Sequence, residues 1–371
     1  MYKKLKLLSV ALCASIATSA QVANTATLDT LGGEQIGKLK IGGYLDTYYG
    51  YNFNNPASNA VPYMVSMHRN NEVNINLAYI DLRYNAQRLR ARIVPAMGTY
   101  MNANYVNETG VMKGMLEASA GVKLHKTKEI WLDAGVLGSP YTNESAISRE
   151  HLMYTRSFSA ENSPYYLSGA KISIPVNKKI TFTGYFINGW QQIEDANNQK
   201  SLGTQIEYRP DNKNLLNWNT YLGDERTALN PDYRARYFTD LYWIHNPDGR
   251  FSFTACVYGG MQERLNTRKH ISHNYWGQAN YIARWRIKKD KWISARAEYF
   301  SDPENIILRS INGNKKYAAT SGSLCYTVKM FDNALFRIEG RHFYSDSKVF
   351  RDNATPVNQS TWLITNLTLW F

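Results

Sequence analysis

The sequence predicts an all-β protein, a transmembrane antiparallel up-and-down β-barrel of about 16 strands (14–18), with short periplasmic turns and long extracellular loops. Three observations predict this fold. The chain ends on an alternating apolar strand, its connections alternate between short and long, and it contains 27 Tyr and 9 Trp. Mean hydropathy is −0.45, and no stretch past the amino terminus has the ~20 apolar residues of a membrane helix. Low hydropathy with many aromatics fits a barrel, because only one face of each strand meets lipid and aromatics gather at both interfaces.

The last strand carries the clearest pattern. One face of the segment 361–371 carries Leu363, Thr365, Leu367, Leu369 and Phe371, and the other carries Trp362, Ile364, Asn366, Thr368 and Trp370. A terminal strand of this kind is expected in a closed barrel, because the last strand must pair with the first to remove both sheet edges. The alternative is the buried last strand of a soluble all-β domain.

The amino terminus predicts export. Three lysines precede an apolar run from Leu7 to Ala17, so residues 1–20 are interpreted as a signal peptide. Residues 21–37 are polar and are expected to form a periplasmic lead-in, and residues 38–371 the barrel. The expected location is the outer membrane of a Gram-negative cell.

The net charge limits which classes of binding partner are expected. The formal net charge is +13, and loss of the three signal lysines leaves +10. A basic balance fits nucleic acid, anionic lipid or anionic solutes, and export excludes nucleic acid.

Cleavage of the signal peptide leaves two cysteines, Cys256 and Cys325, whose separation fits neither metal nor redox spacing. We expect both to be unpaired strand residues.

Alternation between apolar and polar residues places sixteen strands along the chain. They are expected at about 39–53, 71–84, 88–104, 113–124, 129–137, 168–176, 179–190, 201–209, 215–223, 234–245, 250–262, 274–287, 292–301, 317–330, 334–345 and 359–371. The second strand changes its apolar face midway, which predicts a β-bulge near Ala78. Short connections carrying turn residues alternate with mostly longer ones, as in membrane barrels.

Charged residues on the strands are predicted to face the lumen, because an arginine in hydrocarbon costs ~2–4 kcal/mol at the midplane. The predicted pore-lining residues are Asp46, Arg88, Arg90, Arg92, Glu117, Asp133, Arg234, Arg236, Asp240, Arg284, Arg286, Arg296, Glu298, Arg337, Glu339 and Arg341. Two interpretations stay open. These charges pair across strands and stiffen the wall, or unpaired cations create a field that favours anions. Because arginines outnumber carboxylates in this set, a weak anion preference is expected.

The longest connection, 138–167, needs a structural or functional reason. A barrel of about sixteen strands encloses a wide aqueous lumen, and a long loop can fold inward and narrow it. The residues predicted at such a constriction are Glu144, Arg149, Glu150, His151, Arg156 and Glu161. The alternative is an outward loop that contacts lipopolysaccharide or a neighbouring protein.

Motifs for catalysis and for metal binding are weak. His270 and His273 lie on a predicted exposed loop without an obvious third ligand. No local motif ties a histidine to a nucleophile and an acid. We therefore predict no catalytic residue, no metal and no cofactor, while a site assembled from distant strands stays open as an alternative.

Several segments together resemble the β-barrel porin-2 family of OmpL-like outer-membrane porins. They are residues 42–56, 68–93, 98–105, 155–172 and 183–206. The resemblance covers most of the chain after the signal peptide and is sharpest before residue 210. It implies an outer-membrane barrel and passive solute passage, and it supplies no catalytic or substrate residues.

The expected function is that of an outer-membrane porin, a non-enzymatic diffusion channel for small hydrophilic solutes with a weak anion preference. Its expected partners are membrane lipid, lipopolysaccharide and the solutes, with a homo-oligomer left open and nucleic acid excluded. A barrel-embedded enzyme would instead need a Ser/His/acid or paired-carboxylate cluster. A structural or adhesion barrel would need a blocked lumen and prominent partner-binding loops.

Overall fold

The structure is a computed structural model and describes residues 34–313 and 316–371. Sixteen antiparallel strands form one closed ring. The strands are β1 Leu39–Asn52, β2 Val73–Asn85, β3 Leu89–Met97, β4 Met115–Lys123, β5 Trp131–Gly138, β6 Tyr166–Pro175, β7 Ile180–Ile187, β8 Ser201–Asp211, β9 Asn214–Asp224, β10 Tyr233–His245, β11 Phe251–Leu265, β12 Ile271–Lys288, β13 Lys291–Asp302, β14 Tyr317–Phe331, β15 Ala334–Tyr344 and β16 Gln359–Trp370. The predicted fold class and strand number are confirmed.

The ring closes where the last strand meets the first. Trp362 lies opposite Asn52 and Trp370 opposite Tyr44 in the β16–β1 pair. Phe371 extends the pairing beyond β16, because its N–H donates to the Gly43 carbonyl at 3.1 Å and its carbonyl accepts from the Gly43 N–H at 3.0 Å. The predicted pairing of the carboxy-terminal strand is therefore present, and neither strand is left as an open edge.

Alternating residues of β16 separate the lumen from the outer surface. Trp362 is fully buried on the inner face, whereas Leu363 is 43% and Phe371 63% exposed on the outer face. Both unpaired cysteines, Cys256 and Cys325, are buried on β11 and β14. The exposed apolar residues are the surface that a membrane barrel presents to lipid.

The predicted bulge lies at Asn76, two residues before the expected position. The β1–β2 register passes from Asp46 opposite Leu77 to Thr47 opposite Ile75 and skips Asn76. The third strand was predicted to continue to residue 104, but it ends at Met97. Gly98 ends it, because its φ is +129° and a Cβ there would lie 2.4 Å from the Asn76 carbonyl oxygen. Only glycine accommodates this close approach to the bulge.

Short turns and long loops alternate along the chain as predicted. The short turns are 86–88, 124–130, 176–179, 212–213, 246–250, 289–290 and 332–333. The long loops are L1 53–72, L2 98–114, L3 139–165, L4 188–200, L5 225–232, L6 266–270, L7 303–316 and L8 345–358. L6 is the exception among these loops, since its five residues are fewer than those of the turn 124–130, because β11 and β12 extend beyond their predicted ends.

Three of the long loops contain short helices, 3₁₀ turns or a hairpin. L2 holds the helix α1 Thr99–Asn104 and a 3₁₀ turn, Gly110–Gly114. L3 holds a 3₁₀ turn, Ser148–Glu150, and the helix α2 Phe158–Glu161. L8 holds a hairpin of Phe350–Asp352 and Thr355–Val357. Across residues 34–313 and 316–371, the helices are all too short or too polar to cross a membrane.

The amino-terminal predictions fall largely outside the described residues. The signal peptide at 1–20 and most of the lead-in at 21–37 precede Glu34, the first described residue. The last residues of the lead-in, Glu34–Ile36, form a short strand that folds back onto the start of β1. Gly37, with a φ of +61°, makes the turn between them.

Candidate functional site in the barrel lumen

L3 lies inside the barrel. Tyr154, Arg156 and Phe158 of this loop are fully buried. Side chains of the loop hydrogen-bond to the inner faces of strands on distant parts of the ring, for example Ser148 to Asp46 of β1 and Asn143 to Thr254 of β11. A loop that reaches both β1 and β11 must cross the lumen.

A buried charge network on β13 and β15 faces this loop. The side chains of Arg296, Glu298, Glu339 and Arg341 have no exposed surface. Arg296 pairs with Glu298 at 3.2 Å and with Glu339 at 3.1 Å, and Arg341 pairs with Glu298 at 2.5 Å. Buried charges of this kind are tolerated only when both signs are paired and hydrogen-bonded.

The acids of the network bind the backbone of L3. Glu339 accepts hydrogen bonds from the N–H groups of Tyr154 at 2.9 Å and Thr155 at 2.8 Å. Glu298 accepts one from the N–H of Phe158 at 2.6 Å. Hydrogen bonds to charged groups are about twice as strong as neutral ones. The two carboxylates therefore fix the segment from Tyr154 to Phe158 against the wall.

The arginines of the same wall bind the carbonyl groups of L3. Arg296 donates to the Thr155 carbonyl at 2.6 Å, and Arg341 donates to the Arg156 carbonyl at 2.8 Å. Arg337 donates to the Ser148 carbonyl at 2.6 Å. Three of the predicted pore-lining arginines, Arg296, Arg337 and Arg341, are thus engaged by the loop, and Arg296 and Arg341 are also paired with acids.

The first limb of L3 is anchored to the opposite wall. Asp240 of β10 accepts a hydrogen bond from the Thr142 N–H at 2.8 Å. The Asn143 amide donates to Thr254 of β11 and Asn280 of β12, both at 3.0 Å. Both limbs of the loop are therefore attached to the barrel, and the loop spans the space between them.

Two predicted constriction residues hold L3 in its own shape, and a third attaches it to L1. Glu144 accepts from the Ser157 N–H at 2.8 Å, Arg156 donates to the Ser145 carbonyl at 2.8 Å, and Glu161 accepts from the Val65 N–H of L1 at 2.6 Å. Burial raises the pKa of both Glu144 and Glu161, because the charged carboxylates have lost water.

The other three constriction residues lie near the middle of L3. The Arg149 guanidinium lies 4.1 Å from the centroid of the Trp370 ring. Glu150 accepts a hydrogen bond from the Ser145 hydroxyl at 2.7 Å. His151 Nε2 accepts the Ser145 N–H at 3.0 Å, and burial lowers the pKa of this imidazole well below its usual value. His151 is therefore neutral at pH 7.

Ser145, Glu150 and His151 meet, but not in the geometry of a hydrolase triad. In a triad the serine hydroxyl bonds to the imidazole and the carboxylate orients the other ring nitrogen. Here the Ser145 hydroxyl bonds to the carboxylate, and the ring nitrogen accepts the backbone N–H. The described residues also contain no group of three or more His, Cys, Asp or Glu that could hold a metal ion.

A second charged wall, on β2 to β5, pairs within itself. Arg90 contacts Asp133 at 2.5 Å. Arg92 contacts Asp81 at 2.8 Å and Glu117 at 2.7 Å. The Arg90 side chain is 36% exposed, whereas that of Arg92 is 11% exposed. These arginines hydrogen-bond to acids on other strands of the same wall. The ion pairs of this wall therefore form without residues of L3.

Sequence reasoning missed Asp81, Arg83 and Lys171. Asp81 and Arg83 pair at 2.7 Å, and they face inward because the bulge reverses the alternation of β2. Lys171 of β6 lies opposite Asp133 in the strand register. The alternation around Ile172 and Ile174 could have identified Lys171, whereas the face of Asp81 depended on locating the bulge.

Other predicted lumen residues lie near the ends of strands. Arg88 is in a short turn, where its guanidinium donates to the Lys123 carbonyl at 3.3 Å. Arg234 lies at a bulge in the β10–β11 register and donates to the Pro231 carbonyl at 3.0 Å. Arg284 donates to the Pro247 carbonyl, and Arg286 is exposed at the end of β12. These four are on or near the rims.

Arg236 is held inside the extracellular half of the wall. Its Nε donates to the Gln262 side chain at 2.8 Å, and its guanidinium lies 3.7 Å from Glu225. The same group lies 5.0 Å from the centroid of the Trp190 ring of L4. Arg236 therefore joins the wall to two loops.

The long loops also share an apolar cluster. Met67 of L1, Phe158 of L3, Leu308 of L7 and Phe350 of L8 belong to one buried group that reaches the inner faces of the strands. Small cavities remain on the two sides of the loop at Glu144, with volumes of ≈ 30 Å³ and ≈ 40 Å³. Each has room for about one to a few waters. The middle of L3 is therefore closely packed.

Comparison with known proteins agrees with this architecture. Residues 38–371 match the family described as "Putative beta-barrel porin-2, OmpL-like". None of the curated proteins compared with the chain matches it.

Solved outer-membrane proteins have a similar fold. The outer membrane channel DcaP of Acinetobacter baumannii has a TM-score of 0.62 at 8% identity, covering 92% of this chain and 100% of that chain. OmpT of Vibrio cholerae has a TM-score of 0.58 at 10% identity, covering 91% and 99%. The anion-selective porin from Comamonas acidovorans has a TM-score of 0.55 at 9% identity, covering 90% and 99%.

At these identities the structural likeness shows the fold alone, while the family match extends over the whole barrel. The sixteen-stranded ring and its apolar outer face agree with this match. The chain belongs to the OmpL-like β-barrel porin-2 family and is an outer-membrane porin.

Proposed function

We propose that the protein lets small hydrophilic solutes diffuse passively across the outer membrane, with a weak preference for anions. The observation that carries this proposal is the division of the lumen. L3 is hydrogen-bonded to β1, to β9–β13 and to β15, and the charged wall of β2–β5 pairs within itself. The proposed path runs between L3 and that wall, past Arg90, Arg92 and Glu117, where the cavity beside Glu117 is ≈ 30 Å³, so we expect only small solutes to pass.

The proposed anion preference has a different origin from the one that composition suggests. Arg296, Arg337 and Arg341 all bind the backbone of L3. Arg296 and Arg341 are also paired with buried acids, so the charge of these two is largely neutralised within the wall. Arg90 remains partly exposed. Lys171 lies opposite Asp133, the carboxylate that pairs with Arg90. Two cations beside the single carboxylate of Asp133 leave a net positive charge, and the field acting on a solute would come mainly from this group.

Removal of Arg90 tests the path and the preference together. In Arg90→Gln, Asp133 loses its partner and the exposed part of the wall loses one positive charge. We expect the reversal potential in a KCl gradient to shift toward the potassium potential. Arg226→Gln is the matched control. It also removes an arginine that lies near a carboxylate, 3.9 Å from Asp224, but Arg226 is exposed on L5 and away from the proposed path. An unchanged reversal potential in Arg90→Gln would place the conduction path elsewhere.

A structural or adhesion barrel is the second candidate. The shared apolar cluster of L1, L3, L7 and L8 favours it, because packed loops can present a fixed surface to a partner. Single-channel recording separates the two functions. A diffusion channel gives discrete open steps in a planar bilayer, whereas a barrel that only displays its loops gives none.

A further inference from the structure

The positive charge of the chain is concentrated at the rim formed by the short turns. When each short turn is taken with two flanking residues on either side, acids are in the minority. The basic residues are Arg88, Arg90, Lys123, Lys126, Lys128, Lys178, Lys179, Lys213, Arg250, Lys288, Lys289 and Lys291, and the acids are Glu129, Asp211, Asp248, Asp290 and Asp332. The long loops, taken in the same way, carry nearly equal numbers of bases and acids. The excess therefore faces the periplasm.

One sector of this rim lies above a cluster of outward-facing aromatic rings. Phe253 of β11 lies 4.8 Å from Trp243, 4.9 Å from His245 and 5.7 Å from Tyr281 between ring centroids. Phe251 extends the cluster to Trp285 at 5.8 Å. Trp243 and Trp285 are 41% and 47% exposed. The cluster covers three adjacent strands, β10–β12, at the periplasmic level of the outer surface.

Arg250 lies over the edge of this cluster. Its guanidinium is 5.4 Å from the centroid of the Trp285 ring, and Trp285 points away from the lumen. Arg250 is exposed and forms no ion pair with a carboxylate in the described residues. The Arg250 charge is therefore held at the outer surface rather than in the channel mouth.

Lys291 continues the cationic sector. It begins β13 and lies opposite Val328, on the outward face that also carries Ile293. Two interstrand spacings of about 4.8 Å place it roughly 10 Å from Arg250 along the rim. Lys288, its partner in the β12–β13 pair, is also exposed. Three cations thus border the aromatic cluster on its periplasmic side.

We propose that this sector is a binding site for an anionic phospholipid of the periplasmic leaflet. Arg250 and Lys291 would bind the phosphate and the anionic headgroup, with Lys288 beside them. The rings of Trp243, Phe251 and Trp285 would contact the glycerol region and the first part of the acyl chains. Tryptophan prefers this interfacial depth, and basic residues next to it attract anionic lipid headgroups.

The geometry favours lipid over a cell-wall polymer or a solute. A polymer or solute in the periplasm would be met by cations pointing along the barrel axis or into the lumen. Arg250 instead stacks on an outward ring, and Lys291 projects from an outward strand position. Apolar surface directly beneath the two cations matches the order of headgroup and acyl chain in a lipid.

Lipid retention in native mass spectrometry tests the proposal. Full-length protein in detergent is mixed with phosphatidylglycerol or phosphatidylcholine, and bound lipid is counted. We expect the wild type to retain phosphatidylglycerol preferentially. Each cation near an anionic surface contributes roughly a factor of five, so Arg250→Gln/Lys291→Gln should weaken this retention by about 25-fold. Lys178→Gln/Lys179→Gln removes two charges from a turn bordered by the aliphatic Val176 and Ile180, and should retain the lipid.

Several outcomes would overturn the site. Equal retention of the two lipids, or unchanged phosphatidylglycerol retention in Arg250→Gln/Lys291→Gln, excludes it. An equal loss in both double variants would show a general charge effect. Loss of binding to isolated peptidoglycan, without loss of lipid, would assign these cations to the cell wall. Single-channel conductance of the same variants should stay unchanged, so this result is independent of the proposed channel function.

Discussion

Replacement of Glu339 by alanine should release the middle of L3 from the barrel wall. The variant loses the acceptor for the N–H groups of Tyr154 and Thr155 and leaves Arg296 without one of its acids. Removing one partner of a buried ion pair costs about 3–5 kcal/mol. We expect a larger and noisier single-channel conductance, because the released segment no longer occupies one position in the lumen.

Limited proteolysis gives a second readout of the same variant. Trypsin cleaves after arginine, and Arg149 and Arg156 are held inside the barrel in the wild type. Mass spectrometry should detect peptides ending at these two residues much earlier in Glu339→Ala. Glu339→Gln keeps one oxygen acceptor and should show a smaller effect. Glu129→Ala, which removes an exposed carboxylate in a short turn, should behave as the wild type. Equal cleavage in wild type and Glu339→Ala would contradict the anchoring of L3.

The second large effect is expected at Gly135. Its φ is +130°, and a Cβ there would lie 2.1 Å from the Ala118 carbonyl oxygen on the neighbouring strand. Gly169, its partner in the β5–β6 pair, has a similar conformation with a φ of +148°. Backbone strain of this kind costs about 1–3 kcal/mol for a residue with a side chain, and the contact with backbone adds to it.

Gly135→Ala should therefore lower the free energy of unfolding by about 3 kcal/mol or more. Tryptophan fluorescence during urea unfolding in lipid vesicles measures this change. Gly340→Ala is the control, because Gly340 is also in a strand, has no positive φ and faces open space. If the two variants unfold at the same urea concentration, the close approach of β4 to Gly135 is absent.

Much of the fold could be predicted because the strands and turns of a membrane barrel follow local sequence patterns. Alternation in β16 identified its two faces, and the order of short turns and long loops set the strand number. The errors occurred where one residue changes the pattern. The bulge in β2 lies at Asn76 rather than near Ala78, and Gly98 ends β3 after Met97, seven residues before its predicted end.

The lumen was harder to predict because its contacts join distant parts of the chain. Alternation indicated that Glu339 and Arg337 face inward, but it gave no sign that they bind the backbone of L3 about 185 residues away. A backbone N–H has no sequence signature, so any strand carboxylate could have been its acceptor. The same limit applies to Arg296, whose pairing with Glu298 and Glu339 neutralises the positive charge that composition suggested.

Planar-bilayer recording of the wild type beside a variant in which residues 143–162 are replaced by a short Gly-Ser linker tests the role of L3 most directly. The structure predicts small, discrete open steps for the wild type and steps several-fold larger for the shortened loop, since the segment across the lumen is gone. Equal step sizes in the two proteins, or no steps in either after correct insertion, would contradict a channel narrowed by L3.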